Sequence, residues 1–421
     1  MKVLIKQANI SGSSSPLQGQ VKDILIVDGI IQQIADTISE AADKTISHEN
    51  LYVSIGWVDS FANFADPGYE HKETLATGAA AAAAGGFTDV MIIPNTNPAM
   101  SGKAVVEYIQ QKAATLPVSI HPIAAITKNL EGKELAEMYD MSQSGAIAFS
   151  DGTQSIQSPG ILLKAMQYVL PVGATVIQVP DDKSISAHGL MNEGIVSTQL
   201  GLPGKAAIAE ELMIARDIEL LKYTNSRLHI TGISSKKSVE LVAQAKSEGL
   251  AISCSVTPMH LLFCDEDLKE YDTNLKLNPP LRTASDRAAL QEAFREGIID
   301  CIASHHFPQH WDDKTCEFEY AKNGSSSLEA VYGIANRFAK GYHMLIEHMA
   351  VLPRKIFGLP IPEIKEGSPA ILTLYVPDVE YTFDETMIRS KSKNNPFIGK
   401  TFKGKVIGII NKKQVTLNEQ G

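Results

Sequence analysis

Long apolar runs are missing from this sequence. The most membrane-like stretch is the alanine run at 79–84, too short to span a bilayer and closed by Gly85-Gly86. Net positive charge is missing too: 38 Lys and Arg stand against 48 Asp and Glu, a formal charge of −10. Grip on a phosphate backbone needs a positive face, so bulk charge excludes a basic nucleic-acid binder. Only four cysteines occur (Cys254, Cys264, Cys301, Cys316), none in a CxxC pair. That spacing excludes a disulfide framework and predicts free thiols in a reducing cytosol. No G-x-G-x-x-G follows the first strand pattern, which disfavours a dinucleotide-binding sheet. The opening run Met1-Lys-Val-Leu-Ile-Lys-Gln alternates like a strand and lacks the apolar core of a secretory leader. The expectation is a soluble cytoplasmic protein with no membrane or nucleic-acid partner.

What is present is a repeated theme. The chain has 421 residues, 44% hydrophobic and 20% charged, a globular composition. Eight short β-branched runs fall at 53–61, 87–93, 118–126, 145–150, 174–179, 227–233, 251–257 and 299–304. They are almost continuously apolar, as strands buried on both faces should be. Helical patterns follow several of them, at 72–84, 205–222, from Ser234/Ser235 to Gly249, and at 285–296. Eight strand–helix units over some 300 residues predict an α/β fold, a (β/α)8 TIM-type barrel, occupying 53–365. The two ends, 1–52 and 366–421, are β-rich without helical periodicity. The simplest closure joins them in one small β-sandwich beside the barrel.

Several strings then become specific. They are Asp66-Pro-Gly-Tyr-Glu-His-Lys-Glu-Thr-Leu75, Pro94-Asn-Thr-Asn-Pro98, Ala148-Phe-Ser-Asp151, Lys276-Leu-Asn-Pro-Pro-Leu-Arg282 and Arg389-Ser-Lys-Ser-Lys-Asn-Asn-Pro-Phe397. In order, and over nearly the whole chain, the sequence resembles the dihydroorotase family of the amidohydrolase superfamily. The resemblance implies a barrel with a metal site at the C-terminal strand ends. It also implies pyrimidine biosynthesis, where the family reversibly closes carbamoyl-aspartate to dihydroorotate. That chemistry calls for metal-bound hydroxide, a Lewis acid on the carbonyl and a carboxylate to shuttle the proton. Zinc suits it, held by imidazoles and carboxylates.

The match breaks where the chemistry should be. The family's Asp-x-His-x-His-x-Arg reads Asp59-Ser-Phe61-Ala-Asn63-Phe-Ala65 here. The two later metal histidines correspond to Val179 and Gly232, and the catalytic Asp to His305. Asp151 matches the family's metal-bridging carboxylate. Asn95, Asn278 and Arg282 match positions on the substrate side, and His229 and His260 match supporting positions.

Three functions are expected from this pattern. The first is a metal-free dihydroorotase-like pseudoenzyme, a structural or regulatory partner of aspartate transcarbamoylase, itself a homo-oligomer. The second is an active dihydroorotase or related cyclic amidohydrolase with a rebuilt zinc site drawn from His305, His306, His310 and Asp151. Consecutive histidines on an extended segment face opposite ways, which weighs against it. The third is a sensor in which Asn95, Asn278 and Arg282 hold a carboxylated pyrimidine without hydrolysing it. Phe61, Phe64, Met259 and Phe307 predict a filled, dry barrel mouth. Asp181 and Asp182 are expected to be solvated loop residues, and Cys301 a core residue.

Overall fold

A computed structural model describes residues 1–12 and 15–418. Eight parallel strands form one continuous wall: Trp57–Ala62, Phe87–Ile92, Ser119–Ala124, Ala148–Phe149, Thr175–Gln178, Leu228–Thr231, Ile252–Val256 and Cys301–Ile302. The wall closes where Ala62 bridges His306 and the Asn63 amide donates to the His306 carbonyl at 2.8 Å. Every residue of the first two strands is buried, because the barrel interior lies on one face and the helical layer on the other.

The helices end where their sequences say they should. Leu75–Ala84 is capped by Thr74, whose side chain accepts from the Thr77 amide, and it stops at Gly85. Its small residues let it lie close against the barrel: a Cβ on Gly78 would stand 2.5 Å from the Phe64 ring. Lys236–Ser247 is capped by Ser235, and Ala284–Arg295 by Thr283. Ile208–Thr224 ends at Asn225 in the left-handed conformation. Among the described residues no helix is long and apolar enough to cross a membrane.

The expected strand at 53–61 is in fact two. Tyr52–Ile55 belongs to a second sheet, between Lys2–Ile10 and Ile371–Thr382, and the barrel begins only at Trp57. Gly56 is the crossing point: a Cβ there would come within 2.0 Å of the Thr88 hydroxyl. Val21–Val27 and Ile30–Ala35 continue this sheet on one side, and Thr401–Asn411 and Gln414–Leu417 on the other. Both chain ends therefore meet in the β-sandwich beside the barrel. The last barrel strand shrinks to Cys301–Ile302 because the Ser304 amide and hydroxyl turn to Asp59, each at 2.7 Å.

Candidate functional site

The C-terminal strand ends surround a cavity of about 200 Å³. Phe61, Val179, Met259 and Leu277 give it an apolar wall; Asn63, Gln154, Asn278 and His305 give it polar edges. The expected filled mouth is thus corrected. Phe61 and Met259 are buried as bulk should be. Yet Val179 on the wall is too small to close the mouth, and an open cavity remains.

The positions expected to hold metal carry few donors. Phe61, Val179 and Gly232 offer no side-chain nitrogen or oxygen. Asn63 turns its Oδ1 to the Ala65 amide at 2.9 Å. His305, where the resemblance places a catalytic Asp, is turned onto apolar and glycine neighbours instead. Its ring packs on Phe61 at 4.6 Å between centroids and covers Gly232, where a Cβ would lie 2.7 Å from its Cε1. Backbone φ of +44° at His305 turns the ring into that gap. Among the described residues no group of three or more His, Cys, Asp or Glu converges on a common point. This donor set does not fit a zinc centre.

The rebuilt site does not assemble. Asp151 is buried, and its Oδ1 accepts from the Ile126 and Thr127 amides at 2.9 Å each while Oδ2 takes the Thr127 hydroxyl. Burial lifts its pKa, and its lone pairs face a neighbouring loop. His306 turns away from His305: its Nδ1 accepts from the Ser327 amide at 3.1 Å and its Nε2 faces Glu73 at 3.3 Å. Burial pushes the Glu73 carboxyl up, but bonds from His306, Ser390 and Thr77 outweigh it and hold the carboxyl below its ordinary value. His310 lies at the surface beside Asp312.

The substrate-side residues divide as well. Arg282 is buried away from the cavity, donating to the Lys205 carbonyl at 2.6 Å, Ser234 Oγ at 3.1 Å and Asn192 Oδ1 at 3.2 Å, with Glu210 at 3.6 Å. Asn95 braces the loop after the fourth barrel strand: its Oδ1 accepts from the Thr153 amide at 3.2 Å. Asn278 alone of the three lines the cavity. Its Oδ1 accepts from Lys205 Nζ at 2.5 Å, and Lys205 also pairs with Asp181 at 2.7 Å. Asp181 is therefore a buried ion-pair partner rather than a solvated loop residue. Asp182 instead caps the short helix Lys183–Ser186. Burial lowers the Lys205 pKa while Asp181 pulls it back up.

A buried polar chain behind His305 was not anticipated. Ser253 Oγ meets His229 Nδ1 at 2.8 Å, and His229 Nε2 meets Ser255 Oγ at 3.0 Å. Ser255 Oγ donates to Thr231 Oγ1 at 2.8 Å, and Thr231 Oγ1 meets His305 Nε2 at 2.8 Å. Strand register builds it, since His229 lies opposite Ser253 and Thr231 opposite Ser255. Burial drives the pKa of both His229 and His305 down to about 3. The available signal was polar residues at alternate positions of two core strands, His229 and Thr231 on one and Ser253 and Ser255 on the other.

The barrel with its flanking sandwich is the fold of two hydantoinases of known structure. It superposes on L-hydantoinase from Arthrobacter aurescens with a TM-score of 0.84 at 23% identity, covering 99% of this chain and 96% of the other. A structure of D-hydantoinase gives 0.82 at 21%, covering 100% and 96%. Residues 52–238 match the family model described as Dihydro-orotase-like. The chain is 36% identical to a dihydroorotase of Syntrophus aciditrophicus over the full length of both. It is 41% identical to one of Caldanaerobacter subterraneus over 91% of this chain and 90% of the other. The chain belongs to the dihydroorotase family.

Proposed function

We propose that this chain is a dihydroorotase-like protein of pyrimidine biosynthesis that holds no metal and does not turn over carbamoyl-aspartate. It serves as a structural or regulatory partner of aspartate transcarbamoylase, and is itself a homo-oligomer. One observation carries the reading. At strand ends where the family resemblance places imidazoles stand Phe61, Val179 and Gly232, and the His305 ring packs on Phe61 at a tilt of 32°. Kinship with dihydroorotases along the whole chain supports retention of the scaffold in the pathway. A second reading, a chain that holds a small ligand without hydrolysing it, is favoured by the open cavity and by Asn278 on its wall.

The test pairs metal analysis of protein purified without chelator with a dihydroorotase assay in added zinc. Metal well below one per chain and no turnover are expected. Near-stoichiometric zinc with turnover would establish the active cyclic amidohydrolase instead. Co-elution with aspartate transcarbamoylase at micromolar concentration is expected, and separate peaks would remove the partnership.

A further inference from the structure

We propose that a second cavity, between the loop after the last barrel strand and the 389–394 loop, binds a mononucleotide, with its phosphate on Lys314 and Lys391 and its base on Trp311. The proposal rests neither on the barrel-mouth cavity nor on the partnership with transcarbamoylase.

The cavity holds about 490 Å³, a size that suits a small molecule. It shares no lining residue with the barrel mouth. Lys314, Lys391 and Lys393 border it together with His71 and His310, whose rings stand 5.9 Å apart. Among the described residues no aspartate or glutamate lines it. The chain as a whole carries −10, so this positive charge is local and runs against the bulk. That balance suits a small phosphate and disfavours a long nucleic acid.

The three lysines are held by main-chain carbonyls rather than by acids. Lys391 Nζ donates to the Glu70 carbonyl at 2.5 Å, and Lys393 Nζ to that of Ile388. Lys314 Nζ donates to the Thr273 and Lys322 carbonyls at 2.7 Å each. Nearby carboxylates are engaged elsewhere: Asp313 stands 3.7 Å from Lys72, and Asp312 3.3 Å from His310. An ammonium has three protons, so Lys391 keeps two to offer and Lys314 one. Lys314 is only 8% exposed. Burial first, and then the neighbouring Lys276, push its pKa down to about 7, while Asp272, Cys316 and Asp313 pull the other way. A phosphate beside it supplies the counter-charge that the protein leaves out.

The rest of the cavity is fixed in advance. Gln309, Ser392 and Asn394 are buried. Asn394 accepts from the Gln309 amide at 3.1 Å and donates to the Gly324 carbonyl at 3.0 Å, and Ser392 Oγ donates to the Lys72 carbonyl at 2.8 Å. A ligand therefore orders little on arrival. Trp311, at the edge, is 71% exposed. Its open indole offers a face to a base, and since every base has a π-face the site asks for an aromatic ring rather than one nucleobase.

The readout is built in. The chain has two tryptophans, and Trp57 is fully buried, so quenching by a ligand reports on Trp311. AMP is the probe on the full chain, with adenosine and inorganic phosphate as its two halves. AMP should quench saturably and phosphate should displace it. Adenosine should bind about tenfold more weakly or worse, having lost its charge-assisted hydrogen bonds. Lys391→Gln, an exposed change that spares the fold, should weaken AMP by about tenfold, the loss of one hydrogen bond to a charged group. Lys314→Met should do the same, and Trp311→Phe should abolish the quenching. Absence of saturable quenching overturns the proposal. So does adenosine binding as tightly as AMP, quenching that survives Trp311→Phe, or unchanged AMP affinity in Lys391→Gln. An oligonucleotide that binds more tightly than AMP overturns it as well.

Discussion

Gly232 has φ of +72°, where glycine alone is free of strain, and its missing Cβ leaves the space that the His305 ring occupies. Gly232→Ala should cost about 1–3 kcal/mol in urea denaturation, the usual penalty for overpacking a tight core. Truncating the ring as well, in a Gly232→Ala/His305→Ala pair, should cost less than the two single changes added, because the residues touch. Asp59 provides a pH signature of opposite origin. Burial lifts its pKa to about 6, against hydrogen bonds from Ser304 that pull it down. The folded state therefore holds this proton more tightly than the unfolded chain. Its contribution is complete below the ordinary aspartate value and is lost as pH rises through 6. A rise of this size is worth roughly 3 kcal/mol of stability. Asn resembles the protonated carboxyl, so Asp59→Asn should flatten stability between pH 4 and 7 (roughly, from the same linkage) relative to wild type. Equal slopes would show that Asp59 ionises freely.

Between elements, one loop is stapled to the barrel by carboxylates. Glu73, just before the helix Leu75–Ala84, takes the Ser390 hydroxyl and the Lys391 amide, and Glu329 accepts the Arg389 and Ser390 amides at 2.9 and 3.0 Å. Asn394 adds a bond from the Gln309 amide and one to the Gly324 carbonyl. Glu73→Ala strands His306 and Ser390 in a buried site, and should cost about 3 kcal/mol. Amide exchange should rise at 389–394; unchanged exchange there would show that the other bonds suffice. None of this staple was legible, because Glu73 and Ser390 lie 317 residues apart in sequence. Seven of the barrel strands were legible, since β-branched runs buried on both faces leave a local mark. The break at Gly56 was not, because residues on either side of it are equally buried in two different sheets. At the site, Phe61, Val179 and Gly232 stood out only against the family motif. Thr231, Ser253 and Ser255 look like ordinary strand residues until register sets them side by side. Arg282 misled because a charged residue beside a Pro-Pro turn gives no sign of being buried against Glu210.

At the scale of the molecule, the sandwich is the part that needs both ends. Tyr52–Ile55 is covered on one side by Lys2–Ile10 and on the other by Ile371–Thr382. A chain ending at residue 365 would leave that edge open, with unpaired amides and carbonyls next to apolar side chains. It should aggregate on expression, and co-expressed 366–421 should return it to solution. A soluble, monomeric 1–365 fragment would show that the barrel shields the edge by itself. Order of synthesis makes the same dependence a matter of time. Ile55 leaves the ribosome about 300 residues before Leu372, the residue it pairs with. At about 5–20 residues per second that is a wait of roughly 15–60 s. Throughout it the nascent sheet has one open side, so whatever guards a growing chain must guard this one until its final strands appear.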